Sequence, residues 1–119
     1  MSIVLKRIYE DEKQIGGYRV LIDGVWPRGI SKEKAQLDEW AKELTPTSSL
    51  RKWFNHTPER FQEFTARYKK ELHHSDEAKA KKKELQDIAQ NHRLVLLYGA
   101  KDEQYNHAVV LKDWLENQE

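Results

Sequence analysis

Three stretches of this chain are apolar with little polar interruption, and between them apolar residues recur at helical spacing. Ile3 to Tyr9 is β-branched and aromatic and reads as a strand. Tyr18 to Ile22 reads as a second strand. Leu94 to Tyr98, almost without polar alternation, reads as a third that is covered on both faces. Glu10 to Lys13 and Gly16-Gly17 join the first two strands through about seven residues, whereas a parallel crossover takes about a dozen. Those strands are therefore expected to be antiparallel neighbours or not neighbours at all.

Ser31 is a good N-cap, and Leu37, Trp40, Ala41 and Leu44 then fall on one helical face until Pro46 stops it. Thr47 or Ser48 opens a short helix carrying Leu50, Trp53 and Phe54. Thr57-Pro58-Glu59 is a helix start, with a hydroxyl, a proline in the first turn and an acid near the positive dipole end. Phe61, Phe64, Tyr68 and Leu72 follow as a buried stripe. Ser75 opens another helix with a thin apolar face of Ala78, Leu85, Ile88 and Ala89, which Asn91 ends. Ala108, Leu111 and Leu115 give the last helix its face.

This order predicts an α/β fold, a single domain with a small mixed sheet of about three strands surrounded by helices. The long helical excursion lets strands two and three lie parallel through a right-handed crossover. The Trp26–Gly29 loop and the Gly99–His107 segment then leave the same edge of the sheet. Polar loops at the carboxyl ends of adjacent parallel strands are where open α/β sheets hold ligands.

Composition narrows the function classes. At 119 residues the chain suits one domain. The formal charge of +1 supplies no global field for nucleic acid or anionic membrane. With no cysteine there is no disulfide, thiol nucleophile or thiolate metal site, which fits a reducing, cytoplasmic setting. No run approaches the roughly 18 apolar residues of a membrane helix. No Walker loop, dinucleotide fingerprint, nucleophile elbow or HExxH occurs.

Arg28, between Pro27 and Gly29, projects from a stiff loop, and a guanidinium binds carboxylate or phosphate bidentately. The plain alternative is a structural ion pair with Asp23 or a helix carboxylate. Arg51, early in a helix, could share an anion with Arg28 or make a surface salt bridge. Asp23 and Asp102 each end a strand or follow one; they suit acid–base work, or else Asp102 caps the last helix and Asp23 fixes Arg28 or Arg19. His56 and His107 precede or begin helices and suit a general base or proton shuttle, or are bonded to backbone. No ligand spacing supports a metal. Trp26 is a candidate site wall, whereas Trp40, Trp53 and Trp114 read as core. Lys79 to Lys83 reads as a solvated helix face laced with acid–base pairs, with no aromatic interleaved to stack on bases.

The residues Gly17 to Asp23, Trp26-Pro27-Arg28-Gly29, Leu50 to Phe54 with His56, and Tyr98, Asp102, Asn106-His107-Ala108 and Leu111 resemble the YeaO-like family, domain of unknown function number 488. The likeness spans nearly the whole chain, implying one YeaO-like α/β domain over 1–119 in a bacterial or archaeal protein. It implies no activity or cofactor. It marks Arg19, Asp23, Trp26, Pro27, Arg28, Arg51, His56, Asp102, Asn106 and His107 as characteristic positions. The family typically has Asp-Arg-Leu before Trp-Pro-Arg-Gly; Asp23-Gly24-Val25 here lacks that cation.

The favoured expectation is a small-molecule site. Arg28, Arg51, Arg19 and Asn106 would bind an anionic group, and His107 or His56 would move a proton. Asp23 or Asp102 would orient it, and Trp26 would exclude water. The reaction class would be hydrolysis or group transfer on a phosphorylated or nucleotide-like compound. The alternatives are a nucleic-acid-binding or regulatory module using the lysine-rich helix, and a protein-interaction module whose polar cluster is purely structural.

Overall fold

A computed structural model describes residues 1–10 and 15–117; residues 11–13 of the expected first connecting loop lie outside the described residues. Four strands form one sheet: β1 (Ser2–Arg7), β2 (Tyr18–Leu21), β3 (Glu39–Trp40) and β4 (Arg93–Tyr98), in the order β1-β4-β2-β3. Every pairing is parallel, with Leu5 opposite Leu96, Val20 opposite Leu96 and Leu21 opposite Trp40. The expected parallel pairing of the second and third apolar stretches is present. The sheet gains one strand and is parallel throughout rather than mixed. β1 and β2 are not neighbours because β4 lies between them, so no short crossover is needed.

β4 is central and reads as a continuous apolar run because it is covered on both sides. Leu94, Leu96 and Tyr98 point with Val20 and Ile22 into the larger core, under α2 (Ser48–Phe54), α3 (Phe61–His73), α4 (Asp76–Asn91) and α5 (His107–Glu116). Val95 and Leu97 point with Leu21 into a smaller core closed by Ile8, Ala35, Trp26 and Trp40. That alternation is the period of two that a strand imposes.

The helix starts follow capping chemistry. Thr47, Ser75 and Asn106 accept side-chain hydrogen bonds from Leu50, Ala78 and Val109 amides at the starts of α2, α4 and α5. Thr57 departs from expectation. Its hydroxyl donates to Asn55 O at 3.2 Å, and Pro58–Arg60 forms a 3-10 turn before α3. Phe64, Tyr68 and Leu72 are buried as the stripe requires.

The helix expected to run from Ser31 to Leu44 is the main correction. Ser31 caps α1, but α1 is only Lys32–Ala35. Gln36 adopts the left-handed region (φ 46°), and the chain straightens onto the open edge of β2. Asp38 N and Ala41 N donate to the Arg19 and Leu21 carbonyls at 2.8 and 2.9 Å, and the Arg19 amide donates to Asp38 Oδ2 at 2.8 Å. An unpaired strand edge offers several backbone bonds at once, which outweighs the small helical preference of six or seven residues. Leu37 and Trp40 then join the smaller core, and Ala41 and Leu44 the larger.

Candidate functional site

β2 and β4 are adjacent, and the chain leaves both at the same edge. After β2 it passes outward to β3; after β4 it enters α5, which packs on β1 and β4. The diverging loops leave a crevice, the arrangement that makes ligand sites in open parallel sheets. A cavity of about 490 Å³ occupies it. Asp23, Trp26, Arg28, Arg51, His56, Asn106 and His107 line the cavity; Arg19 and Asp102 do not.

The Trp26 loop is stiff for reasons that can be named. The Trp26 indole N–H donates to Ile30 O at 2.6 Å, and Ile30 N closes a turn onto Pro27 O at 3.3 Å. Gly29 takes φ +82°, as the third position of such a turn demands. Trp26 also packs edge-on against Trp40, with centroids 5.5 Å apart. Arg28 stands exposed at the turn tip. Among the described residues its side chain has no hydrogen-bond or ion-pair partner, so the expected alternative pairing with Asp23 is not made.

Arg51 reaches in from the middle of α2. Its Nη1 lies 2.9 Å from where a Cβ on Gly24 would stand, so the guanidinium rests on the bare backbone of that loop. Its side chain also has no hydrogen-bond or ion-pair partner among the described residues. His56 is exposed and left-handed (φ 51°), directly after Asn55, whose own left-handed conformation (φ 46°) ends α2. Two successive non-glycine residues at positive φ are uncommon, and they turn the His56 ring back towards Phe54.

Asp23 and His107 sit at the floor. Asp23 Oδ2 accepts from the Gly99 amide at 2.8 Å, which ties the end of β2 to the end of β4. Asp23 O accepts the Trp40 indole N–H at 2.6 Å. His107 Nε2 is 3.0 Å from Ile22 O, and a carbonyl only accepts, so that nitrogen carries a proton. Nε2 is also 3.1 Å from Asp23 Oδ1, a buried oxygen that accepts no hydrogen bond in this geometry.

The remaining candidates have structural partners. Arg19 is buried, and its guanidinium donates to the carbonyls of Ile15, Ala35 and Gln36 at 2.9–3.3 Å. Asp102 neither reaches the cavity nor caps α5. Its Oδ1 accepts from the Gln104 and Tyr105 amides and shapes the loop, and Asn106 caps instead. Asn106 lines the cavity, but its Oδ1 is held by Val109 N and its Nδ2 donates to Asp102 O at 2.7 Å. Burial raises the pKa of Tyr98, at the end of β4.

Sequence reasoning missed Tyr9, Phe54 and Phe64 as cavity walls and Gly24 as the seat of Arg51. The position of Tyr9 just past β1, at the same sheet edge, was the available signal. Phe54 and Phe64 were legible only as core, with ring centroids 4.3 Å apart. Three of the four lysines of the cluster are engaged. Lys79 pairs with Asp76, Lys81 with Glu39 and Glu84, and Lys82 is buried over Trp114 at 4.6 Å. Lys82 thus departs from the solvated face expected of it. Among the described residues no group of three or more metal-ligating side chains lies together, and no helix is long and apolar enough to cross a membrane.

Comparisons with known proteins place the chain in a family. A family model described as the inactive DUF488-N3 subclade matches residues 2–119. The chain is 47% identical over 116 residues to the uncharacterized protein YeaO of Escherichia coli K12, covering 97% of each. It is 48% identical over 69 residues to the uncharacterized protein Rv3073c of Mycobacterium tuberculosis H37Rv, covering 58% of each, and to the same extent to Mb3100c of Mycobacterium bovis. No solved structure matches it. The chain belongs to the YeaO-like DUF488 family, within the subclade described as inactive.

Proposed function

We propose that this protein binds a small organic anion, bearing phosphate or carboxylate, in the crevice at the carboxyl ends of β2 and β4. The observation that carries the reading is the pair Arg28 and Arg51. Two guanidiniums without protein partners among the described residues line one cavity, facing a single carboxylate that is itself tied to a backbone amide. Guanidinium is the side chain best matched to the paired oxygens of phosphate or carboxylate. A cavity of about 490 Å³ falls within the range for small-molecule sites, about 300–1,000 Å³. Its apolar walls, Tyr9, Phe54, Phe64 and Trp26, suit a ligand with an organic body behind its charged group.

Binding without turnover is the form of this reading that fits best. The description of the subclade as inactive agrees with this. The lysine helix gives little support to the nucleic-acid alternative, since Lys79, Lys81 and Lys82 have partners within the fold.

The test is a thermal-shift panel of phosphates, nucleotides and carboxylates on the unmodified protein and on Arg28→Ala. A ligand at 100 times its dissociation constant stabilises by about 2.7 kcal/mol. At about 3–6 °C per kcal/mol for a domain of this size, that raises the midpoint by roughly 8–16 °C. The expected outcome is a hit that Arg28→Ala abolishes without altering the unliganded melt. No hit from any anion would sink the proposal.

A further inference from the structure

Gly24 is a glycine without the usual backbone reason. Its φ is outside the left-handed region, so a larger residue would meet no backbone strain. What a side chain there would meet is Arg51: a Cβ would lie 2.9 Å from Nη1, 3.3 Å from Cζ and 3.4 Å from Nη2. All three atoms belong to one guanidinium, which therefore lies over the Gly24 backbone. Arg51 is an exposed, long side chain, and among the described residues no carboxylate or carbonyl holds its head in place. Its position over the cavity is set by what it can lie against. On one side that is the Gly24 backbone, with Asp23 before it anchored to Gly99 N at 2.8 Å.

We propose that Gly24 is the positioning residue of the anion site: its bare backbone is the seat that lets Arg51 lie across the Asp23–Val25 loop and share the ligand with Arg28. This rests on the anion-binding reading above. Any side chain at position 24 displaces the far end of Arg51 rather than the backbone, so the fold is kept and the second cation is withdrawn. A guanidinium held in place contributes charge-assisted hydrogen bonds to a bound oxyanion, and each is worth about ten-fold or more in affinity. A mobile one must be ordered at the moment of binding and contributes less.

The experiment measures inorganic phosphate and pyrophosphate binding by calorimetry for the unmodified protein, Arg28→Ala, Arg51→Ala, Gly24→Ala and the double variant Gly24→Ala/Arg51→Ala. In parallel, the Nε–Hε NMR resonance of Arg51 is followed in Gly24→Ala without ligand. We expect Gly24→Ala to weaken binding about ten-fold, to keep its melting midpoint, to shift the Arg51 resonance, and to add nothing to Arg51→Ala in the double variant. If the unmodified protein and Arg28→Ala differ as the anion reading requires, but Gly24→Ala binds like the unmodified protein, Gly24 is not the seat and only this inference falls. It falls alone, too, if Gly24→Ala weakens Arg51→Ala further, because the glycine then acts apart from that arginine. If neither probe binds the unmodified protein, the anion reading falls and this inference with it.

Discussion

Replacing Arg19 by methionine separates a structural arginine from a ligand-binding one. Arg19 is 6% exposed, and its Nε and Nη2 converge on Ala35 O, the latter at 2.9 Å, while Nη1 donates to Ile15 O at 3.0 Å. Methionine keeps the apolar stem buried and removes the five-donor head. Gln36 is exposed, so water can replace the bond to its carbonyl; Ala35 is buried, and its carbonyl is left without that donor. Hydrogen bonds to a charged group contribute about 1.5–3 kcal/mol each, and relief of the buried charge offsets part of the loss. The net expectation is a loss of about 2–4 kcal/mol, or a midpoint lower by roughly 6–24 °C. Urea unfolding followed by tryptophan fluorescence measures it, with anion binding measured on the native fraction. A loss under about 0.5 kcal/mol would refute the structural assignment. So would a fully folded variant whose anion affinity has collapsed, since Arg19 would then have to reach the ligand.

Two further outcomes are expected. Gly17→Ala should destabilise by about 2–4 kcal/mol in the same urea titration, because Gly17 has φ +140° and a Cβ would lie 2.5 Å from Arg93 O, a backbone atom that cannot shift easily; an unchanged midpoint would mean that the β2–β4 contact is looser than it stands. Stability should also fall as pH rises above about 10. Burial raises the pKa of Tyr68 and, with a hydrogen bond to Glu39, that of Tyr18; burial also raises that of Tyr98, and ion pairing with Glu39 and Glu84 raises that of Lys81. These groups keep their protons in the folded chain where the unfolded chain, titrating near 10, releases them. Unfolding then releases protons and is favoured by alkali. Urea midpoints at pH 8 and 10.5 should differ accordingly, and Tyr68→Phe should flatten the alkaline limb; a pH-independent midpoint would contradict the burial argument.

Much of the scaffold was legible from local pattern. Leu94 to Tyr98 announced a central strand because a strand covered on both faces has no polar positions. Ser75 and Thr47 announced helix starts because their hydroxyls satisfy amides that the helix leaves open. Trp26-Pro27-Arg28-Gly29 announced a rigid turn, since proline and a left-handed glycine admit few conformations. The resemblance to the YeaO-like family rested on Trp26-Pro27-Arg28-Gly29 together with Gly17 to Asp23, Leu50 to Phe54 with His56, and the residues from Tyr98 to Leu111.

What pattern alone left open was where each element and each polar group finds its partner. Leu37 to Leu44 has a helical period, yet the open edge of β2 draws Glu39–Trp40 into the sheet. Arg19, Arg28 and Arg51 are alike as residues. One is buried among three backbone carbonyls, and two stand over a cavity, because β4 inserts between β1 and β2 and brings the Trp26 loop, α2 and α5 to one edge. Neighbours within a few residues suffice to set the three apolar strands and the caps at Thr47 and Ser75, so those are written in the chain itself. Which charges find partners within the fold and which stand without one among the described residues is settled only by assembly, because it depends on contacts between residues as far apart as Asp23 and Gly99.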